Sequence, residues 1–236
     1  MPKASGMPQV SIVPKAASKA SLVFLVINMY STRALFKRFK KGYENALKGH
    51  KIIFKDWDDT EGIRDVLRKK SSVNSDSGVS GIIITGSNYF VKGRAHSTID
   101  DSIMRSHLPI LAICYGFQYM VCRLGSVRSL GKGYRKSFIK SNKDGYMKYH
   151  KSFRIASAPL SLLPSLSPTK YFFYHTDYIV KVPKTFEVIK KIKNKIVMAY
   201  NSKKNILGVQ FHPEKYKKSA RQFFNLWISN YITARK

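Results

Sequence analysis

The stretch "LPILAICYGFQYM", residues 108–120, places a cysteine where an apolar run changes its character. The residues before Cys114 are continuously apolar, which is typical of a strand buried on both faces. The residues after it favour a helix, and Gly116 removes a side chain that would crowd a tight turn. The stretch therefore predicts a strand, a sharp turn that carries Cys114 and a helix, which is the arrangement of a nucleophile elbow.

A cysteine in this turn has two interpretations. The free N–H groups and the dipole at the start of a helix favour negative charge, so a thiolate would be stabilised there. The same N–H groups could hold a developing oxyanion. A small buried cysteine that only packs in the core fits the stretch equally, and this segment alone favours that second interpretation.

A second segment, "ILGVQFHPEKY" at residues 206–216, supplies the groups that a reactive cysteine needs. It is predicted to be a strand that ends in His212-Pro213-Glu214. Residues two apart in an extended chain point to the same side, so Glu214 can reach and orient the His212 ring. Pro213 fixes its own φ and stiffens the arrangement. Because a cysteine nucleophile needs a base and the base needs an orienting group, the two segments predict a Cys114–His212–Glu214 set.

A third segment, Thr85-Gly86-Ser87-Asn88, follows the apolar run "GIII" at residues 81–84. Taken alone, it is an ordinary loop. Open α/β sheets bind ligands at the carboxyl ends of their strands, and this turn lies at such an end. Beside an elbow, it can supply a backbone N–H to an oxyanion.

Strand and helix patterns alternate over residues 21–125. The strand patterns are "SLVFLVINM" (21–29), "HKIIFKDW" (50–57), "SGIIITGSN" (80–88) and "LPILAI" (108–113), and the helical ones include "STRALFKRFKKGYENAL" (31–47) and "DDTEGIRDVLRKK" (58–70). Such alternation requires crossovers and a parallel sheet, so the fold class is α/β, a three-layer sandwich with a mainly parallel central sheet. The pattern after Gly125 favours an added antiparallel hairpin region, and a closing helix ends the chain.

The three motifs, in this order and at approximately this spacing, resemble the class I (triad-type) glutamine amidotransferase domain over about residues 21–233. The segment "YHTDYIVKVPKTFEVI" (174–189) looks like the one that reads Ser-His-Gly-Asp in the GMP synthetase branch of the family. The resemblance implies that Cys114 attacks the side-chain amide carbon of glutamine. His212, oriented by Glu214, would take the thiol proton and pass one to ammonia, and water would hydrolyse the glutamyl thioester.

The same resemblance gives roles to neighbouring residues. The backbone N–H groups of Ser87 and Tyr115 would hold the oxyanion, and Gln118 would help position glutamine beside Gly86. His175 would belong to the substrate pocket. No cofactor and no metal are implied.

The chain departs from the family pattern at three positions. The loop reads Thr-Gly-Ser-Asn where the family commonly has Ser-Gly-Gly-Pro, and the side chain of Ser87 would strain a backbone of positive φ, which favours glycine. Ala112 and Thr176 stand where the family commonly has glycine. None of these changes removes a reacting group.

The charge of the chain supports a second hypothesis. Lys and Arg number 43 against 13 Asp and Glu, a formal net charge of +30. Such an excess attracts polyanions, although a general bias toward lysine would give the same count. The alternative to an enzyme is therefore a catalytically weak or inactive protein with this fold, a structural component of a virion or ribonucleoprotein that contacts nucleic acid or an acidic protein.

Residues 1–20, with three prolines and no acidic residue, are expected to form a basic extended arm before a single domain at residues 21–236. "SLVFLVINM" has the length of a signal-peptide core, but no small-residue cleavage site follows it, which favours a buried strand. No apolar run reaches the ~18–20 residues that span a bilayer. Because the sequence ends soon after the closing helix, we expect any ammonia-accepting synthetase to be a separate subunit. Without such a subunit, the expected activity is that of a γ-glutamyl hydrolase, which acts alone on glutamine or another γ-glutamyl compound.

The two cysteines, Cys114 and Cys122, are predicted to be unpaired. If both lie on one helix they are ~12 Å apart along its axis, which exceeds the ~7 Å that a disulfide allows between α-carbons. Free thiols fit the cytoplasm or another reducing compartment.

Overall fold

The structure is a computed structural model that describes residues 21–68, 78–91, 98–125, 138–142, 147–153 and 169–233. The predicted arm at residues 1–20, and much of the region between residues 126 and 154, lie outside the described residues. The described part of the chain contains eleven strands: β1 (Val23–Asn28), β2 (Lys51–Asp56), β3 (Gly81–Ile84), β4 (Ile110–Ile113), β5 (Ile139–Ser141), β6 (Met147–Phe153), β7 (Thr169–His175), β8 (Asp177–Ile179), β9 (Glu187–Ile192), β10 (Lys195–Asn201) and β11 (Ile206–Val209).

Nine of these strands form the central sheet, in the order β2-β1-β3-β4-β11-β10-β8-β5 with β9 also paired to β10. The strands from β2 to β11 in that order pair in parallel, as the continuous apolar sequences of the four inner strands β1, β3, β4 and β11 predict. The remaining pairs, which involve β10, β8, β9 and β5, are antiparallel. Strands β6 and β7 form a separate antiparallel pair. The predicted α/β class and the added antiparallel region are confirmed.

Within the described ranges, five α-helices cover the sheet: α1 (Arg33–Ala46), α2 (Thr60–Arg68), α3 (Asp101–Arg105), α4 (Tyr115–Gly125) and α5 (Lys217–Trp227), the last continued by a π-helical segment, Ile228–Thr233. The Asp59 carboxylate accepts a hydrogen bond from the Gly62 N–H at 2.9 Å and so satisfies a free donor in the first turn of α2. The short helix α3 is not predicted by the hydrophobic pattern, because five residues carry too little periodicity.

Two apolar clusters, one for each group of helices, give the fold its three layers. One cluster combines side chains of α1 and α5 with the sheet, and the other combines side chains of α2, α3 and α4 with the sheet. The predicted closing helix and its π-helical continuation bury five large side chains, namely Phe223, Phe224, Trp227, Ile228 and Tyr231. The run "SLVFLVINM" provides the fully buried strand β1. Within the described ranges no helix combines the length and the apolar character needed to cross a membrane.

The predicted elbow lies between β4 and α4. Cys114 has a φ of 51°, in the left-handed region that residues with a side chain rarely adopt. Its N–H donates to the Val209 carbonyl at 2.7 Å, which extends the pairing of β4 with β11 by one residue, and its carbonyl accepts from the Gln118 N–H at 3.0 Å. Both cysteines are buried and neither forms a disulfide, as predicted.

The left-handed backbone at Cys114 predicts that glycine is not less stable than alanine at this position, which is the reverse of their order in a regular strand. A left-handed conformation disfavours an L-residue by roughly 1–2 kcal/mol, whereas in a regular strand glycine is less stable than alanine by roughly 0.5–1 kcal/mol. We therefore expect Cys114→Gly to be at least as stable as Cys114→Ala in urea unfolding. Ala112→Gly, two residues earlier in β4, is the control and should lower the free energy of unfolding. If Cys114→Gly were clearly less stable than Cys114→Ala, the backbone at Cys114 would not be strained for a residue with a side chain.

Candidate active site

The side chains of His212 and Glu214 meet at the end of β11. The His212 Nδ1 lies 2.8 Å from the Glu214 Oε1, and both residues are buried, with 4% and 3% of their surface exposed. The sequence predicts an extended chain through Glu214, and this is wrong in detail, since Pro213–Lys215 form a 3₁₀ turn. Proline stands at the first position of this turn, where its fixed φ favours a helical start. The turn, rather than strand alternation, brings the carboxylate to the ring.

The electrostatic surroundings of His212 favour its charged form. Burial opposes a charge on the ring and lowers its pKa, but the Glu214 carboxylate and the Cys114 sulfur raise it more strongly. The net result is a pKa of His212 well above the ordinary 6.5. The ring therefore retains a proton readily once it has taken one.

Helix α1 forms the floor beneath this pair. A β-carbon added at Gly42 would lie 2.6 Å from the Glu214 carbonyl oxygen, so only glycine allows the helix and the turn to approach this closely. The neighbouring Tyr43 is fully buried, and its pKa is raised well above 10.0 by burial and by the Glu214 carboxylate. The position of Glu214 thus depends on the docking of α1.

Aromatic rings hold the other face of His212. The Phe39 ring, on α1, stacks on the His212 ring with centroids 6.0 Å apart, and Tyr30 stacks on Phe39 at 4.9 Å. The backbone N–H of His212 donates to the Phe172 carbonyl at 2.8 Å, which connects the turn to β7. Ring and backbone are therefore both restrained.

The loop after β3 contacts the same pair. A β-carbon at Gly86 would lie 2.8 Å from the His212 Cε1 and 3.5 Å from the Cys114 Cβ, so there is room for glycine alone. The loop is fastened to the end of β1, because the Met29 N–H donates to the Thr85 Oγ1 at 3.0 Å and the Ser87 Oγ donates to the Met29 carbonyl at 2.6 Å.

The expected strain at Ser87 is absent from this conformation. Its φ is not positive, and neither is that of Gly86. The hydroxyl is instead used to fasten the loop, and the left-handed residue of the site is Cys114. The Ser87 N–H has no hydrogen-bond partner among the described residues, so it is available to an oxyanion.

These elements enclose a pocket of about 240 Å³ with Cys114 and His212 in its wall. Tyr115 and Gln118 line it from the elbow helix, and Ser87 lines it from the loop. Side chains of α1 complete the opposite wall: Leu35, Arg38 and Phe39. The structure thus brings together every residue that the sequence nominated for the site, from segments far apart in the chain.

The segment His175-Thr176-Asp177 contributes polar atoms without partners. His175 is 4% exposed, and neither of its ring nitrogens has a hydrogen-bond partner within the described residues. Burial, and then the nearby charges of His212 and Lys195, lower its pKa to about 4, so the ring is neutral at neutral pH. The Asp177 Oδ2 likewise has no partner in this part of the chain, whereas its Oδ1 accepts from the Ser141 hydroxyl at 2.6 Å. A ligand in the pocket could satisfy such atoms.

Some residues of the site escape prediction from the sequence. Phe39 belongs to a helical repeat of apolar residues that is equally typical of a core-facing helix. Gln210 is missed as well, although it stands two residues before His212 and the alternation of a strand places it on the same side. Its side-chain nitrogen lies 3.5 Å from the Cys114 sulfur. No group of three or more His, Cys, Asp or Glu side chains in the described ranges is arranged to hold a metal ion.

Comparison with known proteins relates this geometry to a family. Residues 47–228 match the family model described as glutamine amidotransferase class-I. The glutamine-hydrolyzing GMP synthase of Borreliella burgdorferi (strain N40) is 34% identical over 138 residues, 58% of this chain and 24% of that protein. The corresponding enzyme of Wigglesworthia glossinidia brevipalpis is 30% identical over 172 residues, 70% of this chain and 30% of that protein. The chain thus spans less than a third of the length of these curated relatives.

Solved structures share the fold at low sequence identity. A putative GMP synthase subunit from Thermoplasma acidophilum has a TM-score of 0.54 at 17% identity, with 91% of this chain and 96% of that chain covered. The glutaminase domain of Trypanosoma brucei CTPS, solved with acivicin, has a TM-score of 0.55 at 13% identity, with 89% and 95% covered. Because the family match extends over well more than half of the sequence, the chain belongs to the class I glutamine amidotransferase family.

Proposed function

We propose that this protein hydrolyses the side-chain amide of glutamine, with Cys114 as nucleophile, His212 as base and Glu214 as the group that orients His212. The observation that carries the proposal is the left-handed Cys114 beside a buried His212–Glu214 pair whose Nδ1 and Oε1 atoms lie 2.8 Å apart. Membership in the glutamine amidotransferase family supports glutamine as the substrate.

In the proposed reaction, His212 takes the proton from the Cys114 thiol and the sulfur attacks the amide carbon. The N–H groups of Ser87 and Tyr115 stabilise the oxyanion that forms. The intermediate collapses as the C–N bond breaks, and His212 returns the proton to the departing nitrogen, which leaves as ammonia. Water activated by the same ring then attacks the thioester carbon, and glutamate and the free thiol are released.

The neighbourhood of the pocket suggests how glutamine is held. Neutral His175 can donate or accept a hydrogen bond, and the unpaired Oδ2 of Asp177 can accept one from a substrate ammonium group. Gln118 keeps its side-chain oxygen for the substrate, because its nitrogen donates to the Asp177 carbonyl at 2.6 Å. Gly86 leaves the space in which the amide carbon can approach the sulfur.

We further propose that the ammonia is used by a separate synthetase chain. One neighbour of similar fold is itself named as a subunit of a GMP synthase, and this chain covers 96% of it. The curated relatives are longer proteins named GMP synthase, of which this chain matches 24–30%. GMP synthesis is thus the proposed destination of the ammonia.

Incubation of the purified protein with glutamine tests the reaction. Glutamate and ammonia should be released in equal amounts, and Cys114→Ala should reduce the rate by at least about 10³-fold, because among the described residues that line the pocket Cys114 is the one thiol that can form the thioester. The assay is run with and without the ATP-dependent synthetase part of a GMP synthase. Release that is equal in the wild type and in Cys114→Ala, or absent under both conditions, would contradict the proposal and favour the non-catalytic role that the charge of +30 suggested.

Gly42→Ala tests whether α1 positions Glu214. The added methyl group would lie 2.6 Å from the Glu214 carbonyl oxygen, so the helix and the turn must separate and the carboxylate must move. Misplacement of a catalytic group by about 1 Å can lower a rate about 10²-fold, and we expect kcat/KM to fall about 10–100-fold. The exposed neighbour Lys41→Ala is the control. Unchanged kcat/KM in a folded Gly42→Ala protein would exclude this role.

The lowered pKa of His175 predicts a pH dependence of stability. The folded protein keeps the ring neutral down to about pH 4, whereas an unfolded chain protonates it near 6.5. In that window the unfolded state binds more protons, so the free energy of unfolding rises with pH. His175→Asn should make this rise shallower in urea unfolding, and the exposed control His107→Asn should not. A slope that His175→Asn leaves unchanged would show that the ring is not kept neutral by the fold.

A further inference from the structure

Gln210 contacts the proposed nucleophile. It directly follows β11, is 1% exposed, and has its Nε2 atom 3.5 Å from the Cys114 sulfur. The contact is built into the sheet, because the Cys114 N–H donates to the carbonyl of Val209, the preceding residue. The Gln210 N–H in turn donates to the Val197 carbonyl at 2.9 Å, which fixes its backbone from the other side. The amide group therefore has a defined place beside the sulfur.

The hydrogen bonds of Gln118 determine which end of the Gln210 amide faces the sulfur. The Gln118 side chain lies 2.6 Å from the backbone carbonyl of Asp177, which can only accept, so the atom facing it is the NH₂ group. The same NH₂ group lies 3.2 Å from the Gln210 amide, and its partner there must be an oxygen. The Gln210 NH₂ group is then the end that points to Cys114. Because the Asp177 carbonyl can act only as an acceptor, it determines the orientation of both the Gln118 and the Gln210 side-chain amides.

We propose that Gln210 stabilises the thiolate form of Cys114 by donating a hydrogen bond to its sulfur, and that Gln118 acts as a positioning residue that fixes the amide of Gln210. This inference rests on the proposed function, in which the thiolate is the attacking species. It gives Gln118 a second role beside the binding of glutamine.

The surroundings of the sulfur explain why such a donor matters. The Tyr174 carbonyl lies 3.8 Å from the Cys114 sulfur and can only accept, so it favours the protonated thiol. Only 4% of the Cys114 surface is exposed, so water solvates little of the charge that appears when His212 removes the proton. A neutral amide donor stabilises this charge without itself titrating, and hydrogen bonds to charged groups are the stronger kind in a buried site.

The pH dependence of cysteine alkylation tests the proposal without any substrate. Iodoacetamide reacts with the thiolate, and mass spectrometry of the peptide that contains Cys114 gives its rate separately from that of Cys122. For Gln210→Met, which has a similar shape and no donor, we expect the midpoint of the rate–pH curve to move up by about one pH unit. The rate below the midpoint then falls about tenfold.

Two further variants separate the roles of the two amides. Gln118→Met leaves Gln210 in place but frees its amide to turn, so we expect a smaller shift in the same direction. Gln222→Met, on α5 and away from the pocket wall, is the matched control and should leave the curve where it is. A folded Gln210→Met protein with the wild-type midpoint would overturn the proposal, as would an equal shift in the control.

A measurement on the unaltered side chains covers the case in which Gln210→Met does not fold. In ¹⁵N-labelled wild-type protein, the side-chain amide resonance of Gln210 should move with the pH at which Cys114 is alkylated, and this movement should vanish in Cys114→Ala. A Gln210 side-chain resonance that stays unchanged over that pH range would overturn the proposal. The outcomes remain distinct from those of the glutamine assay, because a protein that shows the shift but no turnover keeps this inference and loses the proposed function.

Discussion

Cys114 directly follows a buried strand and has a backbone φ of 51°. The geometry of the site is arranged around that one residue. The conformation is disfavoured by roughly 1–2 kcal/mol for an L-residue, so the neighbouring structure must hold it. The β4–β11 pairing does so from one side, through the hydrogen bond to Val209, and the first turn of α4 does so from the other, through Gln118. The same two elements carry the Gln118 and Gln210 side chains. Strain and catalytic surroundings thus have a common support.

Helix α1 is the second support, and it is the less obvious one. Through Gly42 it lies against the turn that carries Glu214, and through Phe39 it lies against the ring of His212. It also supplies one wall of the pocket. One helix therefore sets the orientation of the base and the shape of the substrate space at once, although it contributes none of the three groups proposed to react.

The sequence nominates the groups proposed to react but not the residues that support them, for a physical reason. Cys114, His212 and Glu214 are nominated by their chemistry and by two local patterns, a strand–turn–helix change and an alternation with a period of two residues. A 3₁₀ turn, rather than that alternation, brings Glu214 to His212. The contact of Gly42 with Glu214 arises between segments that are distant in the chain, and no local pattern encodes it. Phe39 has the spacing of any core residue. Gln210 falls between these cases, since strand alternation places it correctly but nothing in the local pattern says that a sulfur stands opposite.

The same limit applies to the elements themselves. The sequence predicts long periodic segments such as α1 and α5 and continuous apolar strands such as β1, because burial dictates their residues. It does not predict the short α3 or the 3₁₀ turn at Pro213–Lys215, because their hydrogen bonds involve few residues and their form is decided by tertiary contacts.

The pairing of β4 with β11 has a consequence for the newly made chain. The cysteine leaves the ribosome long before the strand that holds its N–H and the turn that carries His212 and Glu214, since chains are synthesised from the N-terminus. Until that strand inserts between β4 and β10, the thiol has no His212 beside it, and the Cys114 N–H lacks the Val209 carbonyl that helps to hold the left-handed turn. If Cys114 is the nucleophile as proposed, its activation requires the completed sheet, so a nascent or unfolded chain carries no activated thiol.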